Sequence, residues 1–176
     1  SYKFDPSKSK VFKPIFIFWG RYSSEKRIEL AIELFNEISK NLDDARFLLI
    51  GPDNGKLKSL KELSNRLKLN KKIKFFKSKS IREIIKYANK SSFFLQLSDH
   101  EGLGMSVVES MQLGLIPIVT NIGEIKNYCL HGQNSLIFSN IKKTSEEILT
   151  LINYPKKMNY LKKNAIKTWS KQITYR

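Results

Sequence analysis

The sequence predicts an α/β fold: a parallel sheet with helices on both faces. Three observations carry that expectation. Short apolar runs of strand length alternate with amphipathic stretches of helical period along the whole chain, the pattern of consecutive β-α-β units. The runs are apolar continuously, not at every second residue, as strands buried on both faces are. Two strand-to-helix connections combine glycine with charged residues, at the strand ends where folds of this class hold their ligands.

The first strand is Ile15-Phe16-Ile17-Phe18-Trp19, after a polar, irregular opening over residues 1–14. Gly20-Arg21-Tyr22-Ser23-Ser24-Glu25-Lys26 then leads into a helix whose inward face is Ile28, Ala31, Phe35, Ile38 and Leu42, spaced three and four apart. Ser23 or Ser24 is the expected N-cap. Phe47–Ile50 is the second strand, closed by the turn-forming Gly51-Pro52-Asp53-Asn54-Gly55. Leu57, Leu60, Leu63 and Leu67 mark a helix packed on the core, and Ile73–Phe76 a third strand. The loop Lys77-Ser78-Lys79-Ser80, with both lysines expected in solvent, leads to a helix facing inward with Ile81, Ile84, Ile85 and Ala88.

The chain is organised around the next unit. Phe93–Leu97 is an apolar strand, and Glu101-Gly102-Leu103-Gly104-Met105 turns from it into a helix that starts near Gly104 or Met105. Glycines allow the sharp turn and a close approach of backbone to ligand. The unpaired N–H groups and positive dipole end of the helix then favour an anion such as a phosphate. Glu109 lies four residues past Met105 on the same helical face, and side chains tilt toward the helix N-terminus. Its carboxylate can therefore reach the mouth of the turn that also holds Glu101. Phosphate donors beside two hydroxyl-accepting carboxylates suit a nucleotide sugar. Asp99-His100 does not read as a catalytic dyad, because sequence neighbours rarely face one another as a dyad requires; both are expected in solvent.

Ile116–Val119 is a further strand, followed by the loop Asn121-Ile122-Gly123-Glu124-Ile125-Lys126-Asn127. Cys129 reads as packing and His131 as a solvated turn residue. Leu136–Phe138 is a last short strand, Ser145–Asn153 a helix, and Pro155 opens a terminal helix. That helix sets Met158, Leu161, Ala165 and Trp169 against Lys156, Lys157, Lys162, Lys163 and Lys167, which reads as a tail helix packed on the domain ahead of one lying on a membrane.

Composition sets the remaining bounds. The 176 residues suffice for one domain with a full core, and 41% hydrophobic with 27% charged residues is ordinary for a globular chain. No run approaches the ~20 apolar residues of a membrane span, and the opening residues lack a signal-peptide core. A single cysteine excludes an internal disulfide and favours a reducing compartment. The net charge of +16 admits a solvated basic surface, an anionic membrane or nucleic acid. Lysines scattered along the chain favour the first, and no aromatic-plus-basic signature supports the last.

The Glu101-x7-Glu109 spacing within EGLGMSVVESMQLGLIPIVT, and Gly20-Arg21-x4-Lys26 after the first strand, resemble the donor-binding C-terminal half of a retaining GT-B glycosyltransferase, of the large family 4 (group 1). The resemblance implies a Rossmann-like domain that takes a hexosyl group from a nucleotide-diphosphate sugar and transfers it with retention to a glycan, a lipid-linked acceptor or a cell-surface polysaccharide. It implies catalytic roles for Glu101, Arg21 and Lys26, with Arg21 and Lys26 on the diphosphate and Glu101 at the sugar. Gly20, Ser78, Gly102, Leu103, Gly104 and Met105 complete the donor site, with Glu109 on the ribose. It implies no metal and no cofactor beyond the nucleotide sugar. Phe4-Asp5-Pro6 resembles the F-x-P that follows the interdomain hinge. Residues 1–14 are then a post-hinge linker and 15–176 the nucleotide-sugar domain, with an N-terminal acceptor domain absent from this chain. The expected setting is cytoplasmic, with a peripheral contact at the inner face of an anionic membrane and no nucleic-acid partner. The chain departs from the family at Glu124 and Asn127, where a second glycine and a glutamate are usual. The alternative is a non-catalytic module that binds polyanions or nucleic acid through its charge.

Overall fold

All six apolar runs are strands. The computed structural model describes residues 14–170, so the expected hinge sequence Phe4-Asp5-Pro6 lies outside the described residues. In chain order the elements are β1 (Ile15–Trp19), α1 (Ile28–Ser39), β2 (Arg46–Ile50), α2 (Leu57–Arg66), β3 (Ile73–Phe76), α3 (Ile81–Ala88) and β4 (Phe93–Gln96). There follow α4 (Met105–Gln112), β5 (Ile116–Val119), α5 (Ile125–Tyr128), β6 (Leu136–Ile137), α6 (Ile141–Ile152) and α7 (Pro155–Trp169).

The sheet runs β3-β2-β1-β4-β5-β6, and every pairing is parallel. The chain winds outward from β1 through β2 to β3, then crosses back to β4 and winds outward the other way. Right-handed crossovers therefore place α1 and α2 on one face and α3 and α4 on the other. The β1–β4 seam, where the winding reverses, opens a crevice at the carboxyl ends of the strands. In the seam Phe16 stacks on Phe93 at 4.9 Å and meets Phe35 of α1 edge-on at 5.7 Å. Such pairs fix ring geometry as well as excluding water.

α7 closes the domain as the sequence implied: it packs on α4 and β5 and buries Met158, Leu161 and Ala165. Four helical expectations need correction. α1 begins at Ile28, not after Ser23 or Ser24: residues Ser24–Lys26 form a 3₁₀ turn, and Arg27 at φ 44° breaks the run. Leu42 lies past the end of α1 and is only half-buried. α6 starts at Ile141, a turn earlier than its apolar stripe suggested, because the Asn140 side chain accepts the Lys143 amide at 2.9 Å and caps it. Ile81 is 40% exposed, since it occupies the first turn of α3, where the capping box of Ser80 and Glu83 sets the helix, while Ile84 and Ile85 are half-buried and only Ala88 is fully inside. The last strand stops at Ile137, and the Phe138 amide still donates to the Val119 carbonyl at 2.8 Å.

Candidate functional site

Two connections meet at the seam. The first runs from β1 through Gly20 to Lys26. Its backbone is tied to the loop after β2: the Tyr22 amide donates to the Pro52 carbonyl at 2.9 Å, and the Asn54 amide to the Tyr22 carbonyl at 3.2 Å. Gly51 is glycine because a Cβ there would lie 1.8 Å from the Gly20 carbonyl oxygen. The Tyr22 ring is buried and its hydroxyl lies 2.7 Å from the Leu49 and 2.8 Å from the Phe76 carbonyl oxygen. Burial raises its pKa above the ordinary tyrosine value, so it stays a donor. This anchoring leaves Arg21 exposed at the sheet end.

The second connection runs from β4 to α4. Gly104 has φ 73°, and α4 begins at Met105 with no side-chain cap on its first amides. Those N–H groups and the dipole they terminate are therefore available to an anion. Glu101 is fixed just upstream. Its Oε1 accepts from Gln96 Nε2 and Ser98 Oγ, each at 2.9 Å, and is ion-paired with Lys26 from the other connection. The two side chains of that pair are 15% and 11% exposed. Two further bridges join the connections: Arg27 Nε donates to the Leu97 carbonyl at 2.8 Å, and the Asp99 amide to the Glu25 carbonyl at 3.0 Å.

Glu109 projects from α4 toward the end of β1, where Trp19 Nε1 donates to its Oε2 at 2.7 Å. The loop after β5 supports the glycine turn from beneath. Gly123 has φ 49°, and a Cβ there would stand 2.0 Å from the Glu101 carbonyl oxygen. The Glu124 amide donates to the Gly102 carbonyl at 3.2 Å, and the Tyr128 hydroxyl to that of Leu103 at 2.5 Å. Burial raises the Tyr128 pKa and the Glu101 and Glu124 charges add to it, which preserves the donor. Asn127 Nδ2 donates to Glu124 Oε2 at 2.7 Å. Gly123 alone thus makes the close approach, and Glu124 braces the turn through its backbone.

The structure brings together Gly20, Lys26, Glu101, Gly104, Met105 and Glu109, with exposed Arg21, Gly102 and Leu103 at the rim. Ser78 is not among them: it is exposed in the loop after β3, two strands from the seam. Lys77 is exposed as expected, but Lys79 is not simply solvated. Its Nζ sits 5.4 Å from the Phe76 ring centroid and 5.5 Å from that of Tyr87, and pairs with Glu83 at 3.2 Å. His131 is also engaged. Its Nδ1 accepts the Ile137 amide at 3.0 Å, which leaves Nε2 to donate to Glu147 at 2.8 Å. Asp99 and His100 are exposed. Burial pushes the Cys129 thiol up to about 12, so it packs and does not react. Trp19, Gln96 and Ser98 were not visible as site residues in the sequence; only a polar residue ending an otherwise apolar strand, Gln96, was a signal.

Known proteins resemble this chain over most of its length. The family profile described as glycosyl transferases group 1 matches residues 3–168. An uncharacterized glycosyltransferase of Methanocaldococcus jannaschii is 30% identical over 163 residues, 90% of this chain and 44% of that protein. A GDP-mannose:cellobiosyl-diphosphopolyprenol alpha-mannosyltransferase of Komagataeibacter xylinus is 26% identical over 121 residues, 68% of this chain and 31% of its own length. The chain thus spans less than half of these curated relatives. Among solved structures, S. aureus TarM with UDP bound superposes with a TM-score of 0.82 at 19% identity, covering 93% of this chain and 34% of TarM. The C-terminal domain of the Francisella tularensis group 1 protein LpcC gives 0.77 at 21% identity, covering 90% of this chain and 84% of that domain. These likenesses carry the fold, and the family profile carries the membership.

Proposed function

Because this chain belongs to the group 1 glycosyl transferases, we propose that it is the donor-binding half of a retaining hexosyltransferase that uses a nucleotide-diphosphate sugar. One observation supports the reading above all: Lys26 from the first connection and Glu101 from the second meet across the β1–β4 seam, beside an uncapped helix start. A cation, a carboxylate and open backbone amides in one crevice match a diphosphate with a sugar attached. Solved neighbours holding UDP or UDP-glucose, among them an Anabaena protein with a TM-score of 0.76, are in keeping with it.

In this reading the diphosphate lies over the first amides of α4 and draws Lys26 away from Glu101, with exposed Arg21 closing on its outer oxygens. Arg21 supplies a planar fork of donors and Lys26 a mobile charge. Both, with the Gly104 and Met105 amides, oppose the negative charge that grows on the leaving nucleoside diphosphate. Glu101, relieved of Lys26 but still held by Gln96 and Ser98, meets the hexose near its reacting carbon. Glu109, oriented by Trp19, accepts the ribose hydroxyls. The acceptor, a glycan or a lipid-linked or cell-surface saccharide, enters from a further N-terminal domain, with residues 1–14 as the linker and a cytoplasmic setting at the inner face of the membrane.

Titration of the 176-residue chain with a panel of nucleotide sugars tests this reading. Binding is expected in the micromolar-to-millimolar range, about −4 to −8 kcal/mol, with no transfer until the partner domain is supplied, since closure completes such sites. Binding to none of the panel would remove the proposal. Affinity for nucleic acid that falls steeply with salt would favour the polyanion module instead.

A further inference from the structure

Among the described helices of eight residues or more, only α7 combines several cations with no acidic residue. α1 carries Glu29, Glu33 and Glu37 and no cation, α2 mixes Lys58 and Lys61 with Glu62, and α6 mixes Lys142 and Lys143 with Glu146 and Glu147. α7 holds five lysines and no acidic residue. Its apolar stripe is spent on α4 and β5, so the opposite face, Lys156, Tyr160, Lys163 and Lys167, is left outward, and all four are exposed. The spacing of four, three and four residues puts them on one line along the helix.

Beside that face the helix is tied to the turn at 130–133. Lys157 Nζ donates to the Gly132 carbonyl at 2.8 Å and sits 4.7 Å from the Tyr160 ring centroid, and Asn164 Nδ2 donates to the Gln133 carbonyl at 2.9 Å. These contacts bring the 130–133 turn alongside the helix, and with it Leu130, which is 45% exposed. Tyr160 is 48% and Tyr154 61% exposed. The placement of cations also costs helix stability: Lys156 and Lys157 occupy the first turn, where the helix dipole disfavours positive charge. Tyrosines and a leucine interleaved with lysines, with no carboxylate on the helix, make a surface complementary to anionic headgroups and to the interfacial zone just below them.

We propose that the outward face of α7, with Tyr154 and Leu130 at its margin, docks on an anionic lipid bilayer. Lysines 156, 163 and 167 meet the headgroups, and Tyr160 enters the interface. The docking stands independently of the donor assignment, because no residue of the seam takes part in it.

Co-sedimentation of the 176-residue chain with phosphatidylglycerol–phosphatidylcholine vesicles, and with pure phosphatidylcholine vesicles, tests the proposal. Binding is expected only to the anionic vesicles. Replacing Lys156, Lys163 and Lys167 together by serine should weaken it by roughly a hundredfold, on the order of fivefold per lysine near the surface. The same charge removed elsewhere, by Lys58→Ser, Lys61→Ser and Lys86→Ser, all exposed positions, should weaken it several-fold at most. Tyr160→Ser should weaken it severalfold and leave the circular dichroism unchanged. Equal losses from the two triple variants, equal binding to neutral vesicles, or binding to single-stranded RNA without binding to anionic vesicles would each overturn the assignment.

Discussion

The two connections that meet at the seam occupy equivalent slots, each between a central parallel strand and the helix that follows, yet they are built oppositely. After β4 the chain turns on glycine directly into α4, and what it offers is backbone: uncapped amides with the turn braced by Gly123 and Tyr128. After β1 the chain first makes a 3₁₀ turn and passes Arg27 in a left-handed conformation before α1 begins. What it offers is side-chain charge, on a backbone clamped to the neighbouring loop at Pro52 and Asn54. One turn thus presents backbone dipoles and the other presents cationic side chains.

That contrast can be broken most severely in the backbone. Gly123→Ala would place a methyl 2.0 Å from the Glu101 carbonyl oxygen at φ 49°. Crowding and left-handed strain together should cost about 2–4 kcal/mol in urea unfolding, with loss of nucleotide binding. Wild-type stability would mean that the second turn does not depend on the loop after β5.

The two cations come next. Arg21→Ala and Lys26→Ala should each weaken nucleoside-diphosphate binding by about 1.5–3 kcal/mol in calorimetry, the range for hydrogen bonds to charged groups. Their stabilities should differ. From the sequence, both residues flank a helix start, so removing either should hold or raise the thermal midpoint. Arg21 is exposed, and its loss should leave the midpoint in place. Lys26 is paired with a largely buried Glu101, so its loss leaves that carboxylate to Gln96 and Ser98 and should lower stability by about 1–2 kcal/mol. Equal midpoints for the two variants would show that the ion pair contributes nothing.

A smaller effect sharpens the assignment of Glu109. Glu109→Gln should weaken even a sugar-free nucleotide, by about 1–2 kcal/mol, and Trp19→Phe by about 0.5–1.5 kcal/mol through the lost indole donor. Glu101→Gln should bind free nucleotide as the wild type does. If Glu109→Gln also does, the ribose role is wrong. The smallest effect is expected at Gly102, where an added Cβ meets nothing within 4 Å. Gly102→Ala should stay within about 0.5 kcal/mol of wild type, and a larger loss would show that this glycine is held as tightly as Gly123.

The contrast between the turns also explains what could be read from the amino acids. Strands buried on both faces announce themselves as apolar runs, so β1 to β6 were legible, and with them the β4 turn, whose glycines encode its geometry locally. The β1 turn was not. Nothing in Ser24-Glu25-Lys26-Arg27 signals a 3₁₀ turn ended by a left-handed arginine, because that conformation is held by a bond from Arg27 to Leu97, far along the chain. Trp19 looked like one more core residue, since its donor role depends on Glu109, ninety positions away. Lys79 and His131 were misjudged for the same reason: their partners Phe76, Tyr87, Glu147 and Ile137 are set by tertiary packing. Gly51 and Gly123 show the one trace such contacts leave in a sequence, since a Cβ at either would stand 1.8 Å or 2.0 Å from a distant carbonyl oxygen.

The β1–β4 seam has a consequence for how the molecule assembles. Pairing from β1 to β3 and from β4 to β6 joins near neighbours in sequence, whereas the Phe16–Phe93 contact closes the longest loop in the sheet. Entropy penalises such a closure before any contact rewards it. The two halves are therefore the natural early units, and the seam is the late, slow event. Lys26 and Glu101, Trp19 and Glu109 each come from opposite halves, so no part of the crevice exists until that event is complete. The same geometry makes it vulnerable: a partial opening along the seam would erase the crevice while leaving most helices and strand pairs intact.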